Sequence, residues 1–122
     1  HLLLCASQPP GAELRSRLIG LGGDVELGPV ANPRQALADF AAAYQEGLCW
    51  PLPVFRRASP AWVTKQDMGD ARKAWEGNDY NKGDCEDAWI RLLWRDADPC
   101  DQRFMQWAER LYGPLKEEVA KR

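Results

Sequence analysis

Three of the six tryptophans, Trp75, Trp89 and Trp94, bracket a loop rich in glycine, asparagine and aspartate between Ala71 and Arg95. Such a loop breaks both helix and strand, so the chain ends one element and opens another here. Asp67 or Asp70 suits the start of a helix that ends at Gly77, and Asp79 to Asp84 is a polar loop. Asp84 or Glu86 then opens a helix through Leu93. Acidic side chains at that point suit the positive end of a helix.

The remaining punctuation divides the chain into short elements. His1 to Ala6 is apolar and too short for periodicity to separate a buried strand from a helix end. Ser7 to Gly11 is a breaker cluster. Leu14 to Ile19 alternates in polarity like a strand, Gly22-Gly23-Asp24 is a turn, and Val25 to Leu27 returns as the second strand of a hairpin. Asn32 to Glu46 is the clearest helix. Asn32 suits the N-cap, Pro33 the first helical position, Gln35 a capping-box partner, and Gly47 a left-handed residue past the end. Ala36, Leu37, Phe40, Ala41 and Tyr44 form its predicted apolar face. Trp50 to Phe55 is extended, and its two prolines confine it to a sheet edge or a covering segment. Ser59-Pro60 begins another short helix. Asp98-Pro99 with Asp101 begins the last one, with Phe104, Trp107, Ala108, Leu111, Leu115 and Val119 on one face and a kink at Gly113-Pro114.

A chain of 122 residues fits one domain, and a hydrophobic fraction of 45% is enough for a core. The net charge of −2 argues against an independent DNA-binding module, because phosphate neutralisation supplies most non-specific affinity, although a local basic face can still exist. Cys5, Cys49, Cys85 and Cys100 form no Cys-x-x-Cys pair, so neither zinc nor another metal or cofactor is expected. Their spacing in a domain with a good core suits free thiols in a reducing cytosol. No apolar run reaches membrane-spanning length. The chain opens inside an apolar element without methionine, and reads as part of a longer polypeptide.

No constellation carries catalysis. A metal-dependent nuclease of the PD-(D/E)XK type needs carboxylates that hold a divalent ion and a lysine two residues past one of them. Asp24 and Glu26 are the nearest strand-borne acids, and no lysine follows Glu26; Asp24 then serves a turn and Glu26 is solvated. Asp79, Asp84, Glu86 and Asp87 lack calcium-loop spacing and read as helix N-terminal acids. Gly20-Leu-Gly22-Gly23 lacks the lysine and hydroxyl of a phosphate loop. The tryptophans could stack bases of single-stranded DNA, but core and interface roles fit them better. Trp89 and Trp107 are expected in the core, and Trp75 as a half-exposed contact.

A set of short pieces recurs in a fixed order: His1-Leu with Cys5-Ala, Arg17-Leu, Leu27-x-Pro29-Val, Ala36 to Tyr44-x-Glu-Gly47-Leu, Pro51-Leu-Pro, Ala71-Arg, Glu76-Gly-Asn78, Gly83-Asp, Trp89, Leu93-Trp94-Arg95 and Gly113-Pro-Leu. In this order the chain resembles the C-terminal region of the RecC family, the gamma subunit of bacterial exodeoxyribonuclease V. Trp62 to Ala71 is shorter than the family pattern, so no residue there is mapped. The resemblance implies a degenerate PD-(D/E)XK restriction-endonuclease-like domain. It also implies that His1 to Ala6 is the tail of a helix and that the catalytic strands of the fold lie upstream. The family splits duplex DNA, guides the strands and holds RecB and RecD, so the implied partners are RecB-like and RecD-like subunits, with DNA in the context of the complex and no membrane. The implied setting is the bacterial cytoplasm.

The combined expectation is an α/β domain, a small sheet with a hairpin followed by a helical C-terminal half, acting as a non-catalytic scaffold in double-strand-break repair and homologous recombination. The alternatives are a stand-alone metal-dependent DNA nuclease and a generic protein-interaction module. Trp75, Glu76, Asn78, Tyr80, Trp94 and Arg95 are expected to form an exposed or half-exposed shelf that docks a partner subunit, with Gly77 and Gly83 shaping it. Arg15 and Arg17 are the candidate contacts to a DNA backbone.

Overall fold

The apolar start of the chain is helical. In the computed structural model, which describes residues 1–95 and 97–116, α1 spans Leu2–Ser7 and buries Cys5. The chain divides into two compact units, His1–Ala41 and Ala42–Arg122.

In the first unit, α1 is followed by an antiparallel hairpin of β1 (Ser16–Gly20) and β2 (Gly23–Leu27). The register pairs Ser16 with Leu27, Leu18 with Val25, and Gly20 with Gly23. The turn is therefore Leu21-Gly22, earlier than the expected Gly22-Gly23-Asp24. Neither Leu21 nor Gly22 takes a positive φ, so the turn is not one of the primed types; Gly23, just after it, takes the positive φ of 119° that favours glycine. Asp24 lies within β2 instead, where it meets Arg17 at 2.5 Å across the hairpin. His1 fixes the hairpin to α1. Its Nε2 lies 2.7 Å from the Gly28 carbonyl oxygen, which only accepts, so that nitrogen carries a proton. Its Nδ1 lies 2.9 Å from the Ser16 hydroxyl. One side chain thereby holds the start of β1 and the exit from β2.

Helix α2 (Pro33–Gly47) begins as expected at Pro33. Its buried stripe differs from the predicted one. Ala36 and Ala43 are buried, while Phe40 and Tyr44 face outward. Glu46 explains the orientation of its C-terminal end. Its Oε1 accepts from Arg103 Nη2 at 2.5 Å, Arg103 Nε at 3.1 Å and Trp107 Nε1 at 3.3 Å. These bonds hold the Glu46 carboxyl below the ordinary glutamate range, with the Arg103 hydrogen bond as the main cause. Gln35 reaches Asp39 at 3.4 Å rather than the helix start. Gly47 closes the helix without a positive φ, so no left-handed cap forms there.

The second unit is built around Phe55. The segment Trp50 to Phe55 forms no strand and serves as a cover, with Pro53 and Phe55 buried. The Phe55 ring packs at 4.5 Å from Trp75, 5.9 Å from Trp94 and 6.1 Å from Phe104. Helix α3 (Ala58–Lys65) adds Ala58 and Val63, and α4 (Met68–Glu76) adds Ala71 and Trp75. Helix α6 (Gln102–Tyr112) adds Phe104, Trp107 and Ala108. Asp67 starts α4 by accepting the Asp70 N–H at 2.8 Å, and Asp101 starts α6 by accepting the Phe104 N–H at 2.9 Å. Each satisfies a donor that a helix start leaves open. Between α4 and α6 lie a 3-10 turn at Asp84–Glu86 and α5 (Ala88–Trp94). The true cap of α5 is Asp87, which accepts from Trp89 and Ile90 at 2.9 and 3.2 Å. Asp84 and Glu86, the expected openers, are used elsewhere. Gly113–Leu115 forms a 3-10 turn where Gly113-Pro114 predicts a break, and Val119 lies outside the described residues. The architecture is mixed α/β: a short helix, a hairpin, then helices.

Candidate functional site

The predicted shelf is divided by the packing of its tryptophans. Trp75 is 8% exposed and belongs to the core, so the expectation of a half-exposed contact there is corrected. Its position follows from α4, which points residue 75 and residue 71 inward together, onto Phe55. Trp94 is half-buried and meets Phe55 edge-on. Glu76 and Arg95 are exposed and line one open depression together with the rim of Trp75, Arg91 and Asp98. Asn78 and Tyr80 belong to the loop beyond. There the Asn78 side-chain oxygen accepts from Tyr80 N at 3.0 Å and Asn81 N at 2.8 Å. Tyr80 is 95% exposed.

Gly77 and Gly83 stand where two backbone segments approach closely. They let the chain cross itself. A Cβ on Gly83 would sit within 3.0 Å of the Trp75 carbonyl and the Glu76 backbone, and a Cβ on Gly77 would meet Gly83 N and Asn81 O as closely. Gly77 also takes a φ of 80°, which favours glycine. Gly77 and Lys82 form a β-bridge across this crossing. The motif around Glu76-Gly77-Asn78 and Gly83 is thus explained by backbone approach.

Asp84 is the most heavily used carboxylate of the segment. It is 7% exposed and accepts from Arg57 N at 3.0 Å and Ala58 N at 2.8 Å. It therefore caps α3 from a distant part of the chain. Glu86 accepts from Gly83 N at 2.9 Å. These two acids and Asp87 work as backbone acceptors at three separate places. Among the described residues no three His, Cys, Asp or Glu side chains gather as metal ligands would.

The outward side of α5 is the feature that sequence patterning missed. Ile90 and Trp94 pack on the core. Trp89, Leu92 and Leu93 point the other way, and Trp89 is 75% exposed. Trp89 was expected in the core because it lies three and four residues before two leucines. That spacing is real, but it describes a second apolar face. The available signal was that α5 is apolar on both sides.

Of the candidate backbone contacts, Arg17 is held by Asp24, and Arg15 is exposed just before β1. The four cysteines are unpaired, with Cys5 and Cys100 buried. Burial, reinforced by Asp98, pushes the Cys100 thiol up to about 12. No helix among the described residues is long and apolar enough to cross a membrane.

The surface features are an exposed apolar face and shallow depressions on a small mixed α/β fold. The model of the RecC C-terminal domain family matches residues 1–67, more than half of the 122, and the chain belongs to that family. It is similar to the RecBCD enzyme subunit RecC of Escherichia coli (strain K12), 27% identical over 136 aligned positions that cover 94% of this chain. The chain spans 12% of the length of that relative.

Proposed function

We infer that the chain is a non-catalytic scaffold and subunit-contact part of an exodeoxyribonuclease V assembly, acting in DNA double-strand-break repair and homologous recombination in the bacterial cytoplasm. Residues 1–122 are the C-terminal part of a longer RecC-like chain, one domain with a degenerate PD-(D/E)XK ancestry. Its partners are RecB-like and RecD-like subunits, and it meets DNA within their complex. The observation that carries this reading is the two-faced helix α5. Seven residues are too few to hold a helix by themselves. The inner face is anchored on the core, and the outer face offers Trp89, Leu92 and Leu93 to a surface not present in the chain. Exposed clusters of this kind mark interaction sites. Arg91 and Arg95 flank them, and tryptophan and arginine dominate interface energetics. Glu76 and Arg95 line the depression that also holds Arg91 of α5, and Trp75 and Trp94 pack on the core side of the same segment.

The nuclease reading lacks such support. Arg17 pairs with Asp24 and lies opposite Glu26 in the hairpin, so a guanidinium occupies the face where a divalent ion would need both carboxylates. The test is co-purification with RecB-like and RecD-like subunits, compared for the wild type, Trp89→Ala and Leu93→Lys. Both substitutions should weaken assembly at least tenfold while leaving the melting temperature of the chain within a few degrees. Unchanged assembly refutes the reading. Magnesium-dependent degradation of linear duplex DNA, lost on Glu26→Ala, would establish the nuclease instead.

A further inference from the structure

We propose that the groove between α3 and α4 docks an extended acidic segment of a partner protein, its carboxylates held by Arg57, Lys65, Lys73 and Lys82 and its main chain by Asn81. This goes beyond the α5 contact and uses none of its residues. The four cations line one open groove with a single carboxylate, Asp70. The count is four positive against one negative, in a chain that carries 16 basic and 18 acidic residues. Charge is therefore segregated here, which a merely solvated surface of mixed sign does not do.

The geometry follows from helical spacing. Arg57, at the start of α3, is followed at four-residue steps by Ala61 and Lys65, so the three share one face. Lys73 stands beside Ala74 on α4, and Lys82 comes from the loop closed by its bridge to Gly77. The alanines leave an open floor between the cations. Arg57 and Lys65 are about 12 Å apart along the helix axis. An extended chain covers that length in about four residues, and its alternate side chains point the same way. Acidic residues at every second position of such a segment would therefore all face the cations. The Arg57 and Lys82 side chains make no ion pair or hydrogen bond among the described residues, so both are open to an incoming carboxylate.

Asp70 and Asn81 decide the class of polyanion. Asp70 bridges Lys65 at 3.0 Å and Lys73 at 3.6 Å, and the hydrogen bond from Lys65 is the main reason its carboxyl lies below the ordinary range. It remains an acceptor in the middle of the groove. A phosphodiester backbone has no donor to offer it and would meet its charge with another of the same sign. A peptide brings N–H donors for Asp70 and carboxylates for the cations. The Asn81 carboxamide makes no hydrogen bond among the described residues, although its backbone is tied to Asn78. It presents both donors and an acceptor, which match the C=O and N–H of an extended main chain. None of the described residues that line the groove is aromatic, so unpaired bases would find no ring to stack on there.

The experiment is fluorescence anisotropy of a short labelled peptide of alternating glutamate and threonine, titrated with the chain at increasing sodium chloride. Binding should saturate, weaken as salt rises, and disappear when every glutamate of the probe is replaced by glutamine. Lys73→Gln with Lys82→Gln should weaken it about fivefold or more, since each exposed ion pair contributes up to about fivefold. Asn81→Ala should weaken the peptide about threefold and leave oligothymidylate of equal charge unaffected. Arg15→Gln with Arg34→Gln changes the net charge equally, away from the groove, and should cost less than about twofold. All of these side chains are exposed, so unchanged thermal melts separate lost binding from lost folding. The proposal is overturned if the acidic peptide does not bind, if the glutamine probe binds as well, or if groove and control variants lose equally. A silent Asn81→Ala, or an oligothymidylate that binds more tightly than the peptide of equal charge, also overturns it.

Discussion

Removing the Asp84 carboxylate should destabilise the second unit far more than its place in a polar loop suggests. The two N–H groups it serves differ in what replaces it. Arg57 is exposed, so its N–H can turn to water once the carboxylate is gone. Ala58 is 0% exposed, so its N–H loses a 2.8 Å charge-assisted bond and gains nothing. An orphaned buried donor costs about 1–3 kcal/mol, and a bond to a charged group contributes about 1.5–3 kcal/mol. Taken together, Asp84→Ala should cost about 3–4 kcal/mol. Asp84→Asn keeps one acceptor oxygen for Ala58 and loses the charge and one bond, and should cost about 1–2 kcal/mol. At roughly 3–6 °C per kcal/mol for a domain of this size, the alanine variant melts about 10–20 °C lower and the asparagine variant about 3–10 °C lower. Circular dichroism melts and urea titrations of the two variants, with Asp79→Ala as the exposed control from the same loop, measure this. If alanine and asparagine destabilise equally, or if both match Asp79→Ala, Asp84 is not the cap of α3.

The tryptophans should separate by burial: Trp75→Ala should cost about 3–5 kcal/mol in a urea titration, and Trp89→Ala about 0.5 kcal/mol or less. Gly83→Ala should lower the melting temperature sharply, because the obstacle is the Trp75 and Glu76 backbone rather than a movable side chain; a melt within a degree of wild type would show that the crossing relaxes cheaply. With a thiol reagent at pH 8, exposed Cys49 should react at once and Cys100 only after denaturation, since a thiol pushed up to about 12 holds almost no thiolate there. Glu46→Gln should lower the melting temperature at pH 7. Because the folded Glu46 carboxyl titrates below its ordinary 4.5, its contribution is whole above that pH and is lost as pH falls through the depressed folded value, so the two melts should converge in acid.

Elements fixed by neighbouring residues were legible in the sequence. Asp67 and Gly77 bound α4, Asp101 opens α6, and the spacing of Phe104, Trp107 and Ala108 puts them inward. Each depends on contacts within one or two turns. What the sequence did not carry was set by distant partners. Trp75 is buried because Phe55 meets it, and Trp89 is exposed because Ile90 and Trp94 took the inner side of α5. On α2 the small Ala36 and Ala43 are buried while Phe40 and Tyr44 are exposed, so the ordinary ranking by hydrophobicity picked the wrong residues. Asp84 looked like one acid among four in a loop, and only the placement of α3 reveals its use.

The crossing at Gly77 and Gly83 seals the base of the Asn78–Lys82 loop, so the fold does not sense what happens at the tip. Extra residues between Asp79 and Tyr80 would lengthen a surface excursion whose ends are already joined, at about 0.6 kcal/mol for each doubling of its length. Evolution is then free to graft material at this point, and so is an experimenter who wishes to place a reporter or a tether there.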